Sequence, residues 1–239
     1  MSAADDLRRA LAVVDLTRLE RPDDAGAIDA LAAKAVTGAG RVAAICVYPE
    51  WIERVLGPGV PVAAVANFPA GEDDPDLAAR EAREAVAAGA AEIDVVVPWP
   101  VFRAGDEDAI ARTVAATRAA IGDGVGLKAI LETGSLGGAD AIRRAGEQAL
   151  GAGADFLKTS TGKVGPGASL EATRVLLEVV RDAGRGAVKA SGGIRTAEQA
   201  AEYLALADEV MGAGWATPER FRIGASSLVD DLLARLAAA

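Results

Sequence analysis

Short apolar runs alternate with longer alanine-rich stretches along the whole chain, and the runs recur roughly every 30 residues, as repeated strand and helix units do. Each run has six to eight residues. We expect eight strands, at LAVVDLT (11–17), RVAAICVY (41–48), PVAAVANF (61–68), AEIDVVV (91–97), GLKAILE (126–132), ADFLKTS (154–160), GAVKAS (186–191) and RFRIGA (220–225).

The stretches between the runs begin and end as helices do. Polar or proline-containing starts precede them, and glycines follow them; examples are the starts at Asp74-Pro75, Ser169 and Thr196 and the stops at Gly89, Gly122 and Gly153. Eight strand and helix pairs predict an α/β fold of the closed parallel kind, a (β/α)8 TIM barrel. We expect residues 1–239 to form a single domain, because barrels of about 250 residues commonly do so.

An open, doubly wound sheet is the alternative fold. Such a sheet usually carries a glycine-rich turn after its first strand, whereas DLTRLERPDD follows the first strand here. The sequence has no GxGxxG motif, and Gly162-Lys163 lacks the preceding glycine and the following Ser or Thr of a phosphate-binding P-loop. These features favour the barrel.

Alternation along the strands predicts a charged barrel interior. In the fourth strand, Ile93, Val95 and Val97 form an apolar face for the helices, which turns Glu92 and Asp94 inward. The same alternation turns inward Asp15, Lys128, Glu132, Lys158 and Lys189. Because an unpaired buried ion costs several kcal/mol, these groups either neutralise one another as a structural network or serve binding and catalysis.

Composition narrows the classes of function. The chain is 51% hydrophobic and carries a net charge of −10, which disfavours nucleic acid and anionic membranes as partners. The single Cys46 excludes an intramolecular disulfide, and the start MSAADDLRRA lacks the apolar run of a signal peptide. No apolar stretch reaches the roughly 18 residues of a membrane span, so we expect a cytoplasmic protein.

Lysine is scarce here, since the chain has five lysines against twenty arginines and has no histidine. Lys158 and Lys189 nevertheless lie in apolar strands, where an arginine could not lose its proton. Without histidine, acid–base chemistry falls to lysine and carboxylates. Two ammonium groups about 4 Å apart repel by about 4 kcal/mol at an effective dielectric near 20, which would lower one pKa from about 10.4 toward 7.

A neutral lysine amine can attack a carbonyl and form an iminium, which stabilises a carbanion equivalent on the neighbouring carbon. Such chemistry makes or breaks a carbon–carbon bond with neither a metal nor a cofactor. It also needs a group that moves protons. Asp94 is the best candidate because Glu92 lies deeper in the barrel, away from the catalytic mouth, and Glu132 is the weaker alternative.

Small residues after the last two strands predict a phosphate site. The segments Ser191-Gly192-Gly193 and Gly224-Ala225-Ser226-Ser227 follow strands seven and eight, where this fold often binds phosphate. Their backbone amides and the N-terminus of the final helix favour an anion. Lys163 would add a full positive charge, although each glycine cluster alone is also compatible with an ordinary turn.

The order of these segments resembles the deoxyribose-phosphate aldolase family along almost the entire chain. The motifs that carry the resemblance are VDLT, AAICVYP, VANFPAG, EIDVVVP, LKAILETG, GADFLKTSTGK, VKASGGIRTAEQA and FRIGASSL. The resemblance implies a TIM barrel that reversibly cleaves 2-deoxy-D-ribose 5-phosphate into acetaldehyde and D-glyceraldehyde 3-phosphate, with no cofactor. It also implies a homo-oligomer, which we expect to be a dimer.

The resemblance assigns roles to single residues. Lys158 of KTSTG would form the Schiff base, Lys189 of KASGG would tune that amine, and Asp94 of EIDVV would relay protons with Lys189. Substrate contacts are implied for Asp15 and Thr17 near the sugar hydroxyls, for Cys46 near the pocket, and around the phosphate for Thr161, Gly162, Lys163, Gly192, Gly193, Ser226 and Ser227. For Cys46, a role as a small buried strand residue is the other interpretation.

Two other functions remain compatible with the motifs. The chain could be a different phosphate-binding barrel enzyme, either another Schiff-base aldolase or a flavin mononucleotide oxidoreductase, because SGGIR-like loops bind phosphates in several families. It could also be a sugar-phosphate-binding barrel without catalysis. The KTSTG and EIDVVV motifs weigh against the first alternative, and the lysine pair with Asp94 weighs against the second.

Overall fold

A closed barrel of eight parallel strands organises the computed structural model, which describes residues 2–238. The barrel strands run in the order β1, β10, β9, β8, β7, β6, β5 and β4, and β1 pairs with β4 to close it. The strands are β1 (Val14–Thr17), β2 (Val36–Thr37), β3 (Gly40–Arg41), β4 (Ala44–Val47), β5 (Val62–Ala66), β6 (Glu92–Val96), β7 (Gly126–Ile130), β8 (Phe156–Lys158), β9 (Ala187–Ser191) and β10 (Phe221–Ala225). The predicted (β/α)8 TIM barrel is confirmed.

Helices alternate with the strands around the outside of the barrel. They are α1 (Ala3–Ala12), α2 (Ala25–Lys34), α3 (Ile52–Val55), α4 (Pro75–Ala87), α5 (Trp99–Arg103), α6 (Ala109–Ile121), α7 (Ala139–Gly151), α8 (Leu170–Ala183), α9 (Ala197–Met211) and α10 (Leu228–Ala238). The predicted starts at Asp74, Ser169 and Thr196 are confirmed, because each side chain accepts a hydrogen bond from a backbone N–H of the first turn. Within residues 2–238, no helix is long and apolar enough to cross a membrane.

The first predicted strand was too long at its start. Residues 11 and 12 end α1, and β1 begins only at Val14. Ser2 and Asp5 form a capping box that starts α1, and the apolar Leu11 packs as part of the helix's buried face. The second strand was also too long, because Arg41 pairs in the separate antiparallel hairpin of β2 and β3.

Strand alternation places two different environments on the two faces of the barrel wall. Ile93 and Val95 of β6 and Leu127 of β7 belong to the main hydrophobic core between strands and helices. Asp94 and Lys128 point the other way and are fully buried inside the barrel. The predicted charged interior is therefore confirmed, and the hydrophobic core between strands and helices surrounds it.

Loss of the Leu127 side chain should test how much the outer core stabilises the barrel. Leu127 is fully buried, so Leu127→Ala should lower the free energy of unfolding by about 2–5 kcal/mol. Leu56→Ala is the matched control because Leu56 is 48% exposed, and its cost should stay below about 1 kcal/mol. Urea unfolding measures both, and equal losses would contradict this assignment of the core.

Candidate active site

The carboxylate of Asp94 joins three buried lysines at the centre of the barrel. Its Oδ2 accepts hydrogen bonds from Lys158 Nζ at 2.8 Å and from Lys189 Nζ at 2.7 Å, while its Oδ1 accepts from Lys128 Nζ at 2.7 Å. The lysines come from β7, β8 and β9, and Lys158 and Lys189 lie side by side in register. Strand pairing places Lys158 beside Lys189, and Asp94 reaches both amines from β6 across the interior of the closed barrel.

Two further carboxylates and an arginine extend this cluster toward the bottom of the barrel. Asp15 Oδ2 lies 2.6 Å from Lys189 Nζ, and Asp15 Oδ1 lies 2.5 Å from Arg222 Nη1. Glu92 accepts hydrogen bonds from Arg222 Nη2 at 3.0 Å and from Lys128 Nζ at 2.6 Å. Each of the three carboxylates therefore contacts two or more cations.

Arg222 is the member of this cluster that sequence reasoning missed. Phe221 and Ile223, its neighbours on β10, both belong to the outer core, so the alternation used for the other strands places Arg222 inside. The signal was present in RFRIGA, but among twenty arginines an arginine near a strand start resembled a surface cation. Its side chain is only 7% exposed.

Counting charges across the cluster singles out Lys158. Three carboxylates, on Asp15, Glu92 and Asp94, face the three cations of Lys128, Lys189 and Arg222. Lys158 is a fourth basic group, and it contacts one carboxylate. When Lys158 is neutral, the cluster has no net charge. A neutral cluster has a lower free energy of burial than a charged one.

The pKa of Lys158 follows this balance. Burial lowers the pKa of the Lys158 amine below its usual 10.5, Asp94 opposes this effect, and the Lys189 charge lowers the pKa further. The sequence predicts repulsion by Lys189 as the cause. The direction of the shift agrees, but loss of hydration on burial is the larger contribution.

Lys189 and Asp94 behave in the opposite way because oppositely charged partners outweigh burial. Burial alone would lower the pKa of Lys189, yet Asp15 and Asp94 raise it above the usual range. Burial alone would raise the pKa of Asp94, yet Lys128, Lys158 and Lys189 hold it well below the usual range. The pKa values of the two neighbouring lysines therefore shift in opposite directions, so that Lys158 favours the free amine and Lys189 the ammonium.

A cavity of about 250 Å³ opens above these lysines at the C-terminal end of the barrel. The predicted site residues that line it are Thr17, Lys158, Thr161, Gly162, Lys163, Gly192, Gly193 and Ser226. Ser191, Gly224 and Ala225, from the two segments predicted to bind phosphate, also line it, and so do Leu19, Glu20, Ile194 and Arg195, which the sequence did not predict. Lys158 and the loops of small residues therefore line the same cavity.

Five predicted site residues do not line this cavity: Asp15, Cys46, Asp94, Lys189 and Ser227. Asp15, Asp94 and Lys189 are completely buried in the ion cluster below it. Cys46 is also fully buried, with its Sγ 3.9 Å from Asp94 Oδ2, and burial raises the pKa of its thiol. Ser227 is exposed at the start of α10.

The loop after β9 is held in place by the loop after β8. Gly192 and Gly193 adopt φ angles of +95° and +90°, which favour glycine. A Cβ on Gly167 would lie 2.4 Å from the Gly192 carbonyl oxygen, so the two backbones meet at a distance that only glycine permits. Ala168 N–H also donates to the Ser191 carbonyl at 2.9 Å, which fixes the entrance to the glycine pair.

Glu132, the weaker alternative to Asp94 as proton carrier, holds the loop of Thr161 in place. Its backbone has a φ of +53° just beyond β7, and its Oε2 accepts from Thr161 Oγ1 at 2.6 Å and from Thr161 N–H at 3.1 Å. Thr161 Oγ1 in turn accepts from the N–H groups of Lys163 and Val164. The threonine hydroxyl is therefore engaged within the loop, and its hydrogen is committed to Glu132.

Replacement of Arg222 should test the charge balance. Arg222→Gln leaves the cluster with one cation fewer, so the pKa of Lys158 should rise, because loss of a positive charge from the cluster favours the charged form of the amine. In the wild type, reductive alkylation of Lys158 by a small aldehyde should slow as the pH falls, because the protonated amine does not react, and its rate should reach half of its plateau below pH 10.5.

The pH dependence of this alkylation, followed by peptide mass mapping, measures the change. Arg222→Gln should move the rise in rate to higher pH, and Arg222→Lys, which keeps the charge, should leave it close to the wild-type position. An unchanged pH dependence in Arg222→Gln would show that Arg222 does not help to keep Lys158 neutral.

Known proteins share both the sequence and the fold of this barrel. A family model described as DeoC/LacD family aldolase matches residues 9–233. The solved structure of a proposed deoxyribose-phosphate aldolase from Coccidioides immitis is 32% identical, with 96% of this chain and 86% of that chain covered and a TM-score of 0.84. A tetrameric deoxyribose phosphate aldolase from Aeropyrum pernix is 25% identical over the whole of both chains, with a TM-score of 0.79.

A further match concerns the fold alone. The structure of a proposed deoxyribose-phosphate aldolase from Toxoplasma gondii ME49 is 24% identical and superimposes with a TM-score of 0.90, covering 99% of this chain and 97% of that chain. The family model spans nearly all of the barrel, including every strand that contributes to the ion cluster. This chain is therefore a member of the DeoC/LacD aldolase family and an aldehyde-lyase.

Proposed function

We propose that this aldolase reversibly cleaves 2-deoxy-D-ribose 5-phosphate into acetaldehyde and D-glyceraldehyde 3-phosphate through a Schiff base on Lys158. The observation that carries the proposal is the buried Lys158 amine, whose pKa is lowered, at the floor of a cavity lined by the glycine pair and Lys163. The names of the Aeropyrum pernix and Coccidioides immitis relatives support this substrate.

Lys158 is the nucleophile in this proposal. Its neutral amine attacks the C1 carbonyl of the open-chain sugar, and the resulting carbinolamine loses water to give an iminium. The C2–C3 bond then breaks as the C3 hydroxyl loses its proton, and the bond electrons pass to C2 as an enamine. Protonation of the enamine at C2 and hydrolysis of the iminium release acetaldehyde and restore the lysine.

Asp94 and Lys189 move the protons in this sequence. Asp94 lies within hydrogen-bond distance of both lysine amines, so it can hold a proton in transit between Lys158 and Lys189. Formation of the iminium adds a fixed positive charge to a cluster that was balanced before. Because this charge disfavours the other cations, it makes the Lys189 ammonium a better proton donor at that stage.

The phosphate is bound at the rim of the cavity in this proposal. The amides around Gly162, Gly192 and Gly193, the hydroxyl of Ser226 and the N-terminus of α10 favour an anion there. Lys163 adds a positive charge, which Glu20 pairs at 3.1 Å before substrate binds. Ser227 borders the same helix end.

The remaining predicted contacts act from further away. Thr17 lines the cavity and contacts the sugar, whereas Asp15 acts through Lys189, which it contacts at 2.6 Å. Thr161 shapes the loop that carries Lys163, and Cys46 forms part of the barrel interior behind Asp94. No cofactor is required, because the iminium itself withdraws the electrons.

We also propose that the protein is a homo-oligomer, with a dimer as its simplest form. The tetrameric relative from Aeropyrum pernix supports self-association. The cytoplasmic location stays a prediction from the sequence.

Trapping with acetaldehyde should identify the nucleophile. Reduction of the protein with borohydride in the presence of acetaldehyde should leave an ethyl group on Lys158, because its amine is the one that burial and Lys189 shift toward the neutral form. Peptide mass mapping locates the adduct, and an enzymatic assay for glyceraldehyde 3-phosphate follows cleavage of the sugar phosphate. Lys158→Arg should abolish both signals.

The exposed Lys34 provides the matched control. Lys34 pairs with Asp230 on the surface, so Lys34→Arg should retain the adduct and the activity. The proposal fails if the adduct forms on Lys189 or Lys163 instead, or if neither acetaldehyde nor deoxyribose phosphate gives an adduct with the wild type.

A further inference from the structure

Ser191 carries a buried hydroxyl that no contact within residues 2–238 explains. It lies on the same face of β9 as Lys189, two residues further along the strand. The residue is 5% exposed, its Oγ has no hydrogen-bond partner in the described chain, and it lines the cavity above Lys158. A buried hydroxyl without a hydrogen-bond partner destabilises the folded protein. A bound ligand would supply the missing hydrogen bond.

The hydroxyls of three threonines near the cavity are already engaged. Thr17 Oγ1 donates to the Asp15 carbonyl at 2.8 Å, and Thr161 Oγ1 donates to Glu132. Thr159 Oγ1 bonds to both the N–H and the carbonyl of Ser191, at 3.0 and 3.2 Å. These last two bonds hold the Ser191 backbone, and they leave its side chain free both to donate and to accept.

Gly224 on the neighbouring strand β10 provides the space for this hydroxyl. A Cβ at Gly224 would lie 2.2 Å from Ser191 Oγ and 3.1 Å from Lys189 Cε. Gly224 is not among the glycines with a positive φ, so its backbone conformation does not require glycine. Room for Ser191 Oγ beside Lys189 therefore accounts for the glycine.

The position of the hydroxyl indicates which part of a substrate it meets. Two residues along a strand span about 6.6 Å, so Ser191 lies one side-chain layer above Lys189 and, by strand register, above Lys158. The next residues, Gly192 and Gly193, line the same cavity, and the proposed function places the phosphate beside them. Ser191 Oγ is therefore between the amine that holds the carbonyl carbon and the amides that hold the phosphate.

We propose that Ser191 is a specificity-determining residue whose hydroxyl binds the hydroxyl group on the carbon between the aldehyde and the phosphate-bearing carbon of a 2-hydroxyaldehyde phosphate. In glyceraldehyde 3-phosphate this group is the 2-hydroxyl, which becomes the C4 hydroxyl of the sugar product. The inference rests on the proposed function. It predicts that a hydroxylated acceptor is preferred to a deoxygenated one.

The test compares two acceptor aldehydes in the aldol direction, with acetaldehyde as the donor. D-Glyceraldehyde 3-phosphate carries the 2-hydroxyl, and 3-phosphopropanal lacks it. Ser191→Ala removes one oxygen atom, so kcat/KM for glyceraldehyde 3-phosphate should fall about tenfold, the size expected for one lost hydrogen bond. For 3-phosphopropanal, kcat/KM should stay within about twofold of the wild-type value.

Ser226→Ala is the matched control, because a phosphate contact should affect the two phosphorylated acceptors by the same factor. Borohydride trapping of acetaldehyde on Lys158 in Ser191→Ala checks that the nucleophile and the fold are intact, and trapping should equal that of the wild type.

Equal losses with both acceptors in Ser191→Ala would overturn the inference, since they would mean that Ser191 acts through the lysines. Unchanged activity with both would overturn it as well. These outcomes leave the proposed function standing as long as the wild type joins acetaldehyde to glyceraldehyde 3-phosphate. A wild type that fails with both acceptors would overturn the proposed function together with this inference.

Discussion

One carboxylate shared by three buried lysines is the constraint on which the rest of this site depends. Asp94 neutralises ammonium groups that would otherwise repel one another inside the barrel. Asp15 and Glu92 supply the remaining negative charge, and Arg222 joins them across the barrel floor. Three carboxylates balance the three cations of Lys128, Lys189 and Arg222. The cluster is therefore electrically neutral when the Lys158 amine carries no proton.

This balance gives neighbouring lysines unequal roles without a histidine or a metal. Lys189 contacts two carboxylates and stays charged, whereas Lys158 contacts one and is shifted toward the free amine by burial and by Lys189. The closed barrel fixes this difference in contacts, because strand register sets the position of each side chain. The loops contribute separately, because Gly167 and Gly192 pack backbone to backbone and shape the glycine-lined end of the cavity.

The recurrence of eight strand and helix units was enough to predict the barrel. Alternation along the strands predicted its charged interior and the inward direction of Lys158, Lys189 and Asp94, because side-chain direction in a strand is a local property. Arg222 obeys the same rule and was predictable in principle. The first strand was drawn too long because apolar residues on a buried helix face resemble a short strand. Periodicity over a few residues does not separate the two.

Other features depend on contacts between distant segments and lie beyond local pattern. The dominance of burial in lowering the pKa of Lys158 requires the enclosed interior that eight strands create. The left-handed backbone of Glu132 and its bonds to Thr161 could not be predicted from strand alternation, because they depend on a loop that follows another strand. The partnerless hydroxyl of Ser191 becomes visible only once the partners of its neighbours are known.

Nitrogen-15 NMR of the lysine side chains tests the charge balance most directly, because the chain has only five lysine Nζ signals. Conservative Lys→Arg variants assign each signal. The account predicts that Lys158 loses its proton at a pH below 10.5, while Lys128 and Lys189 stay charged beyond that pH. A Lys158 that remains charged up to pH 10.5, or a Lys189 that loses its proton first, would contradict it.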